Sequence, residues 1–563
     1  MQSFPDTAST RLTTHVLSIL LQFLSSREKT VRYRSTQLVA HIINSLDSID
    51  DEYYHLLKMG LLKRIRDKES MIRVQAVIGL GRLAGNEDEG EQNNDDSDDD
   101  DVSGLLERLL EVLQNDPSAD VRRSLLLNLP LTPETLPYLL ERARDLDPAT
   151  RRALYSRLLP ALGDFRHLSL SMREKLLRWG LRDRDENVRK AAARLLRERW
   201  IEDCAGARPS VEVGKAAELA PPSVDGLLEL LERIDIVNSG IEEGVAGDAM
   251  KEFWDGRPDY QDKVSFADPF WDHLSPESAF MARSLHDFWR SKRDGKYEAM
   301  VEEKMPEVTK LAFFLQRYTN SLAETLQRNY ARGGTEEEED TVEQEFIVEQ
   351  LLHIAKALDY SDEVGRRKMF SLLRETLSIA ELPDEITKLV IEVLRDVCGS
   401  KAAGEREFCG VVLEAVAEVH DAISADEPMA DNEDESFHSA RSGVSDSTPT
   451  EVKGPRNLAG DSHGNDEKDD MKAIREIMIN MKCLHIAQCM LQNVEGSLQQ
   501  NVHLVTMLNN LVVPAVRSHE APIRERGLLC LGLCCLLDKV CARITPFPLH
   551  SNVVNERISR KRT

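Results

Sequence analysis

Five times in the first two hundred residues an arginine follows a polar or acidic turn and leads into an apolar helical stretch. The segments read EKTVRYRST at Glu28–Thr36, KESMIRVQA at Lys68–Ala76, PSADVRRSL at Pro117–Leu125, DPATRRALY at Asp147–Tyr155 and DENVRKAAA at Asp185–Ala193. From Arg32 the arginines recur at Arg73, Arg122, Arg151 and Arg189, at intervals of 41, 49, 29 and 38 residues. The 49-residue interval holds a solvated insert, 86–101, without which it is 33. A unit of about 40 residues cannot hide an apolar face by itself, so copies must stack, and only a stack of repeats satisfies such a pattern.

The period and the turn-then-helix layout predict an all-α, HEAT-repeat α-solenoid of stacked helical hairpins, extended rather than globular, interrupted by disordered acidic insertions. Val74, Val77, Ile78, Leu80 and Leu83 have the three-four spacing of a buried helix face, as do Val188, Ala191, Ala192, Leu195 and Leu196. The repeated arginines are predicted to form a structural ladder, each guanidinium bonding an aspartate or a backbone carbonyl of an adjacent repeat. Arg32, Arg73, Arg122, Arg151 and Arg189 are its members. A late copy of the motif, His519–Lys539, puts Ile523 and Arg524 at the Val-Arg positions and Gly527 at the small one, adding Arg524 to the ladder.

Aromatic residues make up 5% of the 563 and no strand-like alternation recurs, which agrees with an all-α class. The opening residues lack the pattern of a secretory leader, and no apolar run reaches the roughly 18 residues that span a bilayer. The expectation is a soluble intracellular protein without a membrane partner. The nine cysteines are scattered, no Cys-x-x-Cys pair occurs, and Cys483, His485 and Cys489 cannot converge on one ion from a single helix. Buried reduced thiols are expected, with no metal site and no cofactor.

The net charge of −26 hides an asymmetry. Residues 1–85 carry 12 Lys and Arg against 8 Asp and Glu, and residues 102–200 carry 19 against 14, while the insert 86–101 holds ten acids and no base. Basic N-terminal repeats joined to an acidic remainder predict a localised electrostatic surface. The insert is read either as a solvated loop or as a phosphate mimic that competes for a basic groove.

Seven segments follow along the chain. Residues 1–205 form an N-terminal repeat block, 206–332 a continuing helical region, 333–340 a Gly and Glu linker, and 341–423 further helical repeats. A Ser-rich acidic tract, 424–470, is expected to be disordered and contains Thr448 before Pro449, a candidate phosphosite. Residues 471–540 form a second repeat block and 541–563 an atypical tail. Between the blocks, Phe266, Phe270, Trp271, Phe280, Phe288 and Trp289 concentrate in a segment without the repeat motif. Core packing, a cap on the first block and a seat for a partner peptide all fit that concentration.

Five blocks, in one order, resemble the HEAT-repeat subunit of condensin known as non-SMC subunit 3: Leu61–Leu83, Asp116–Tyr155, Leu181–Trp200, Asp359–Leu377 and Ala521–Lys539. The resemblance implies a non-catalytic subunit of a pentameric complex that compacts mitotic chromosomes, with a kleisin subunit in the solenoid groove and SMC ATPases as partners through the complex. Double-stranded DNA would lie in a positively charged channel formed with the kleisin. Location in the nucleus and on chromosomes, with a cytoplasmic pool, is implied as well. Such subunits have further repeats before the position of Arg11 and several hundred residues after that of Lys539, so the chain reads as truncated at both ends.

Sequence-blind grip on a duplex comes from Lys and Arg neutralising phosphates. The nominated residues are basic ones that the ladder does not use: Lys63, Arg64, Arg66, Lys68, Arg123, Arg152, Arg178, Arg182, Arg184, Lys190 and Arg194, expected along one inner face of the stack. Trp179 and Trp200 read as packing residues. The competing reading is a protein–protein scaffold of the phosphatase or nuclear-transport type that does not touch DNA. No phosphate-binding loop, H-E-x-x-H or G-x-S-x-G motif occurs, so neither an enzyme nor a small-molecule substrate is expected.

Overall fold

A computed structural model describes residues 8–46, 49, 51–85, 104–206, 220–240, 244–332, 340–424 and 463–537. Among these residues every regular element is helical. The chain divides into two compact units, Met1–Ser265 and Phe266–Thr563. The boundary falls inside the region read from sequence as one continuing block, 206–332.

The first unit begins with helical hairpins. Ala8–Phe23 pairs with Lys29–Ser45, Asp51–Arg64 with Ser70–Ala84, and Leu105–Asn115 with Ala119–Asn128. In the fourth hairpin the first arm is Leu136–Leu140 with a 3-10 turn, and the second runs from Pro148 through a π turn at Leu154–Leu158. In the fifth, Leu170–Leu181 precedes Glu186–Arg194, which continues through a π turn to Cys204. The second helices pack on one another from hairpin to hairpin and carry much of the core, including Val39, Ile43, Ile72, Val77, Leu80, Leu125, Leu154 and Val188. Each such aliphatic side chain contributes about 1.5–3 kcal/mol by leaving water, which is what holds hairpins with no independent core. On Ser70–Ala84, Val77, Leu80 and Leu83 are buried as the spacing predicts, whereas Val74 and Ile78 are half-buried and Ile72 and Ala76 take the deeper positions.

Second-helix starts are set by local chemistry. Asp147 accepts the backbone N–H of Thr150, and Asp185 accepts those of Asn187 and Val188, satisfying donors that a helix N-terminus leaves unpaired. Where helices cross most closely the sequence places glycine. A Cβ on Gly180 would lie 2.6 Å from the Ala192 Cβ and 2.8 Å from the Tyr155 ring.

The second unit is also a succession of paired helices, among them Pro276–Lys292, Val308–Arg332, Val342–Lys356, Glu363–Leu377, Asp384–Cys398, Ala402–Ser424, His463–Gln492 and Ala521–Leu537. Its aromatic segment is core. Phe266, Trp271, Phe280, Phe288 and Trp289 are buried, Phe270 is half-buried, and the Trp271 indole donates to the Phe266 carbonyl at 3.0 Å. Two boundaries differ from the sequence reading. Helix begins at His463, inside the tract expected to be disordered to Asp470. Within the block read as 471–540, a 3-10 turn ends at Gln500, Asn501 caps a new helix, and Pro514 interrupts the donor series farther on. The insert 86–101, Thr448 and the tail 541–563 lie outside the described residues.

Among the described residues no helix is long and apolar enough to cross a membrane, and no group of three or more His, Cys, Asp or Glu is placed to hold a metal. Cys204, Cys398, Cys409, Cys483, Cys489, Cys530, Cys534 and Cys535 are free thiols, all but the last buried. Burial pushes Cys204 and Cys483 up to about 11.

Candidate nucleic-acid interface

The arginine repeat organises one edge of the first unit. Arg32 donates through Nε and Nη2 to Asp67 at 2.9 and 3.3 Å, Arg73 to Asp116 at 2.8 and 2.9 Å, Arg122 to Asp145 at 2.8 and 2.7 Å, and Arg151 to Asp183 at 2.6 and 2.8 Å. Each of these pairs joins one hairpin turn to the next. The remaining nitrogen, Nη1, closes the arginine's own turn: Arg73, Arg122, Arg151 and Arg189 donate to the carbonyls of Asp67, Asp116, Asp145 and Asp183 at 2.7–2.9 Å. Arg524 repeats this geometry in the second unit, donating to the carbonyls of Ser518 and His519. The carbonyl partner thus belongs to the arginine's own turn and the carboxylate to the following repeat, a division of labour the sequence reading left open.

The acceptor side is as regular. Asp67, Asp116, Asp145 and Asp183 each stand six residues before an arginine of the series, and each accepts the N–H of the residue two places on, at 2.7–3.1 Å. Burial works to raise the Asp67, Asp145 and Asp183 carboxyls. The guanidinium bonds and these backbone N–H groups outweigh it, holding all three below the usual carboxylate range. An aspartate six places before the arginine is the signal by which sequence alone could have named the partners.

Because the rungs fix which positions are equivalent, they also place the nominated basic residues. Arg123, Arg152 and Lys190 each follow a ladder arginine directly, so they form one row on three successive second helices. Arg66 and Arg182 stand seven places before one, and Lys68 and Arg184 five places before, on the turns. Lys63 and Arg64 end the first helix of the second hairpin, Arg178 lies on the first helix of the fifth, and Arg194 on its second. The set as a whole therefore occupies both helix layers and the turns between them, not one inner wall. Repeat position decides where a side chain lands, and these residues do not share one.

Local acids separate the set further. Arg64 is drawn to the ladder carboxylate Asp67 at 3.0 Å, and Arg123 bridges Asp147 at 3.2 Å and Asp120. Arg178 pairs with Glu174, Arg182 with Asp248, Lys190 with Glu186 and Arg194 with Glu198. Lys63, Arg66, Lys68, Arg152 and Arg184 are exposed and carry no ion pair among the described residues. Two further exposed cations occupy the same registers and went unnoticed in the sequence: Arg27, equivalent to Lys68 and Arg184, and Arg144, equivalent to Arg66 and Arg182. Aligning the copies on their ladder arginines would have revealed both. Arg144 lies over the half-buried Trp179 ring at 5.7 Å, whereas Trp200 is buried and stacked on Phe165.

Comparison with known proteins gives the lineage. A family model described as the C-terminal domain of nuclear condensing complex subunits matches residues 482–554. Condensin complex subunit 3 of Schizosaccharomyces pombe is 38% identical over 93% of this chain and 54% of its own length, and that of Saccharomyces cerevisiae 30% identical over 92% and 50%. Condensin complex subunit 3 of Homo sapiens is 24% identical over 94% of this chain. Among solved structures, that of the S. pombe condensin Cnd3–Cnd2 subcomplex superposes with a TM-score of 0.71 at 35% identity, covering 94% of this chain and 56% of that one. About half of each relative's length is thus represented. With paired helices in both units, an arginine–aspartate ladder along the first and these matches over nine-tenths of its residues, the chain is a HEAT-repeat homologue of the condensin complex subunit 3 proteins.

Proposed function

We propose that this chain acts as a non-SMC subunit of a condensin complex, binding the kleisin and, together with it, gripping duplex DNA without base preference. SMC ATPases are then partners through the complex, and the nucleus and chromosomes the place of action. The kleisin assignment is supported by the similar S. pombe chain, which was solved as a subcomplex with Cnd2. The DNA assignment is supported by exposed cations beside the ladder: Arg27, Lys68 and Arg184 five places before a ladder arginine, Arg144 seven places before one and Arg152 directly after one.

Cations carried on several stacked hairpins meet a polyanion at several points without reading a base edge. Each phosphate neutralised releases counterions, so affinity falls steeply with salt. Glu28, Glu69, Asp147 and Asp185 lie on the same turns and moderate the field. They make the edge a weak binder of lone anions and leave its grip to the combined set.

The test is fluorescence anisotropy of a labelled duplex with the chain and a kleisin fragment co-purified, across a salt series. Combined Lys68→Glu, Arg152→Glu and Arg184→Glu substitution is expected to weaken binding and to lower the slope of log affinity against log salt by about 0.9 for each phosphate no longer neutralised. An unchanged slope removes the DNA assignment. A chain that co-purifies with the kleisin yet never binds duplex fits the scaffold reading instead.

A further inference from the structure

The first helices of the second and third hairpins, Asp51–Arg64 and Leu105–Asn115, do not close on each other. They leave an open cleft of about 530 Å³. Its walls are two facing stripes: Met59, Leu62, Lys63 and Arg66 on one side, and Arg108, Glu111, Val112 and Asn115 on the other. Met59, Leu62 and Lys63 on the first helix, with Arg66 on the turn after it, face Arg108, Glu111, Val112 and Asn115 on the second, whose i, i+3, i+4, i+7 spacing is that of one helical face, so the cleft is a trough between two helices.

Chemistry narrows what fills the trough. Met59 is 51% exposed, and Leu62 and Val112 are half-buried, which makes an apolar floor open to solvent. Lys63 and Arg66 stand along the rim with no ion pair among the described residues. Asp116, at the cleft's end, is already taken by both nitrogens of Arg73, so Glu111 is the acid left facing the opening. We propose that this cleft is a docking site for an acidic amphipathic helix from a partner protein, with apolar anchors on the Met59–Leu62–Val112 floor. Its acidic edge meets Lys63 and Arg66, and its uncharged edge meets Glu111. The site adjoins the proposed duplex edge, because Arg66 and Lys68 lie on one turn. The stripe from Arg108 to Asn115 spans about 11 Å, or two helical turns, so a helix of three to four turns covers it.

The probe is a fluorescein-labelled peptide of about 14 residues, with leucines at one helical face, glutamates along one flank and glutamines along the other. A peptide of the same composition in scrambled order is the control. The full chain, labelled with carbon-13 at its methionine methyls, supplies the second readout, with the Met59 resonance assigned by Met59→Leu. The ordered peptide is expected to bind about tenfold tighter than the scrambled one and to shift the Met59 methyl. Combined Lys63→Glu and Arg66→Glu substitution is expected to weaken it about tenfold while the chain's circular dichroism melt is retained. Equal binding of the two peptides, or an unmoved Met59 methyl, overturns the proposal. So does a tenfold gain in affinity on deleting residues 86–101, because the chain's own insert is then the occupant. Displacement of the peptide by duplex DNA, with Lys63→Glu and Arg66→Glu weakening both ligands alike, assigns the cleft to nucleic acid and equally overturns it.

Discussion

A single guanidinium in the ladder does two jobs that a lysine cannot. Its planar fork grips the next repeat's carboxylate with two parallel bonds while its third nitrogen closes its own turn. Arg122 is 8% exposed and Asp145 5%. Removing one partner therefore strands a buried charge, which costs more than the pair itself contributes. Asp145→Ala is expected to destabilise the first unit by about 3 kcal/mol, read as a lower urea midpoint. The same substitution at Asp120, an exposed acid off the ladder, is expected to stay within about 0.5 kcal/mol. Equal effects at the two sites would show that the ladder carries no special share of the stability.

Between elements, close approach is what separates a stack from a loose array of helices. Gly180 on Leu170–Leu181 lies against Ala192 of the following helix and against the Tyr155 ring, whose hydroxyl donates to the Leu176 carbonyl at 2.8 Å. A methyl there has no room unless the fifth hairpin shifts. Gly180→Ala is expected to lower stability by about 1–3 kcal/mol despite alanine's better helix propensity, and thermal unfolding checks it. A raised midpoint would mean that the hairpins slide freely. Sequence showed these elements well where periodicity was strong. Within the repeats expected over 341–423, Asp362 caps Glu363–Leu377 and Pro383 sets the start of Asp384–Cys398. Within 471–540, read as one repeat block, apolar spacing continues across a 3-10 turn, a cap and a proline, so hydrophobic period alone carries no mark of those breaks.

Over the whole molecule, acid acts on different groups in the two units. Asp67, Asp145 and Asp183 in the first have carboxyls held below their ordinary value, so the stability they add is present above about pH 4 and is lost as pH falls through their folded values. In the second, burial first and then the charges of Glu345 and Glu385 push Glu349 up to about 7. A carboxyl raised on folding binds its proton more readily in the folded state, so this group adds stability as pH falls from about 7 towards about 4.5. Burial holds His353, one turn along the same helix, down to about 3, so it removes stability as pH falls through about 6.5 and opposes Glu349. Hydrogen exchange followed by mass spectrometry, with peptides from the two units scored separately, is expected to show little net change in the second unit over that range. The first is expected to hold steady to about pH 4 and then to open. Opening of the first unit well above pH 4 would refute this assignment.

The repeat period, the ladder arginines and the all-α class were settled by local sequence, since a hairpin's apolar face and turn chemistry lie within about 40 residues of each other. The identity of each arginine's carboxylate, 23–43 residues away, came only with stacking. So did the separation of exposed cations such as Lys68, Arg152 and Arg184 from basic residues committed to a nearby acid, as Arg64 is to Asp67. Charge on a chain is a property of its composition. Whether that charge faces solvent or a carboxylate is set by which repeat lies beside it, and that is a distance in space that no spacing along the chain encodes.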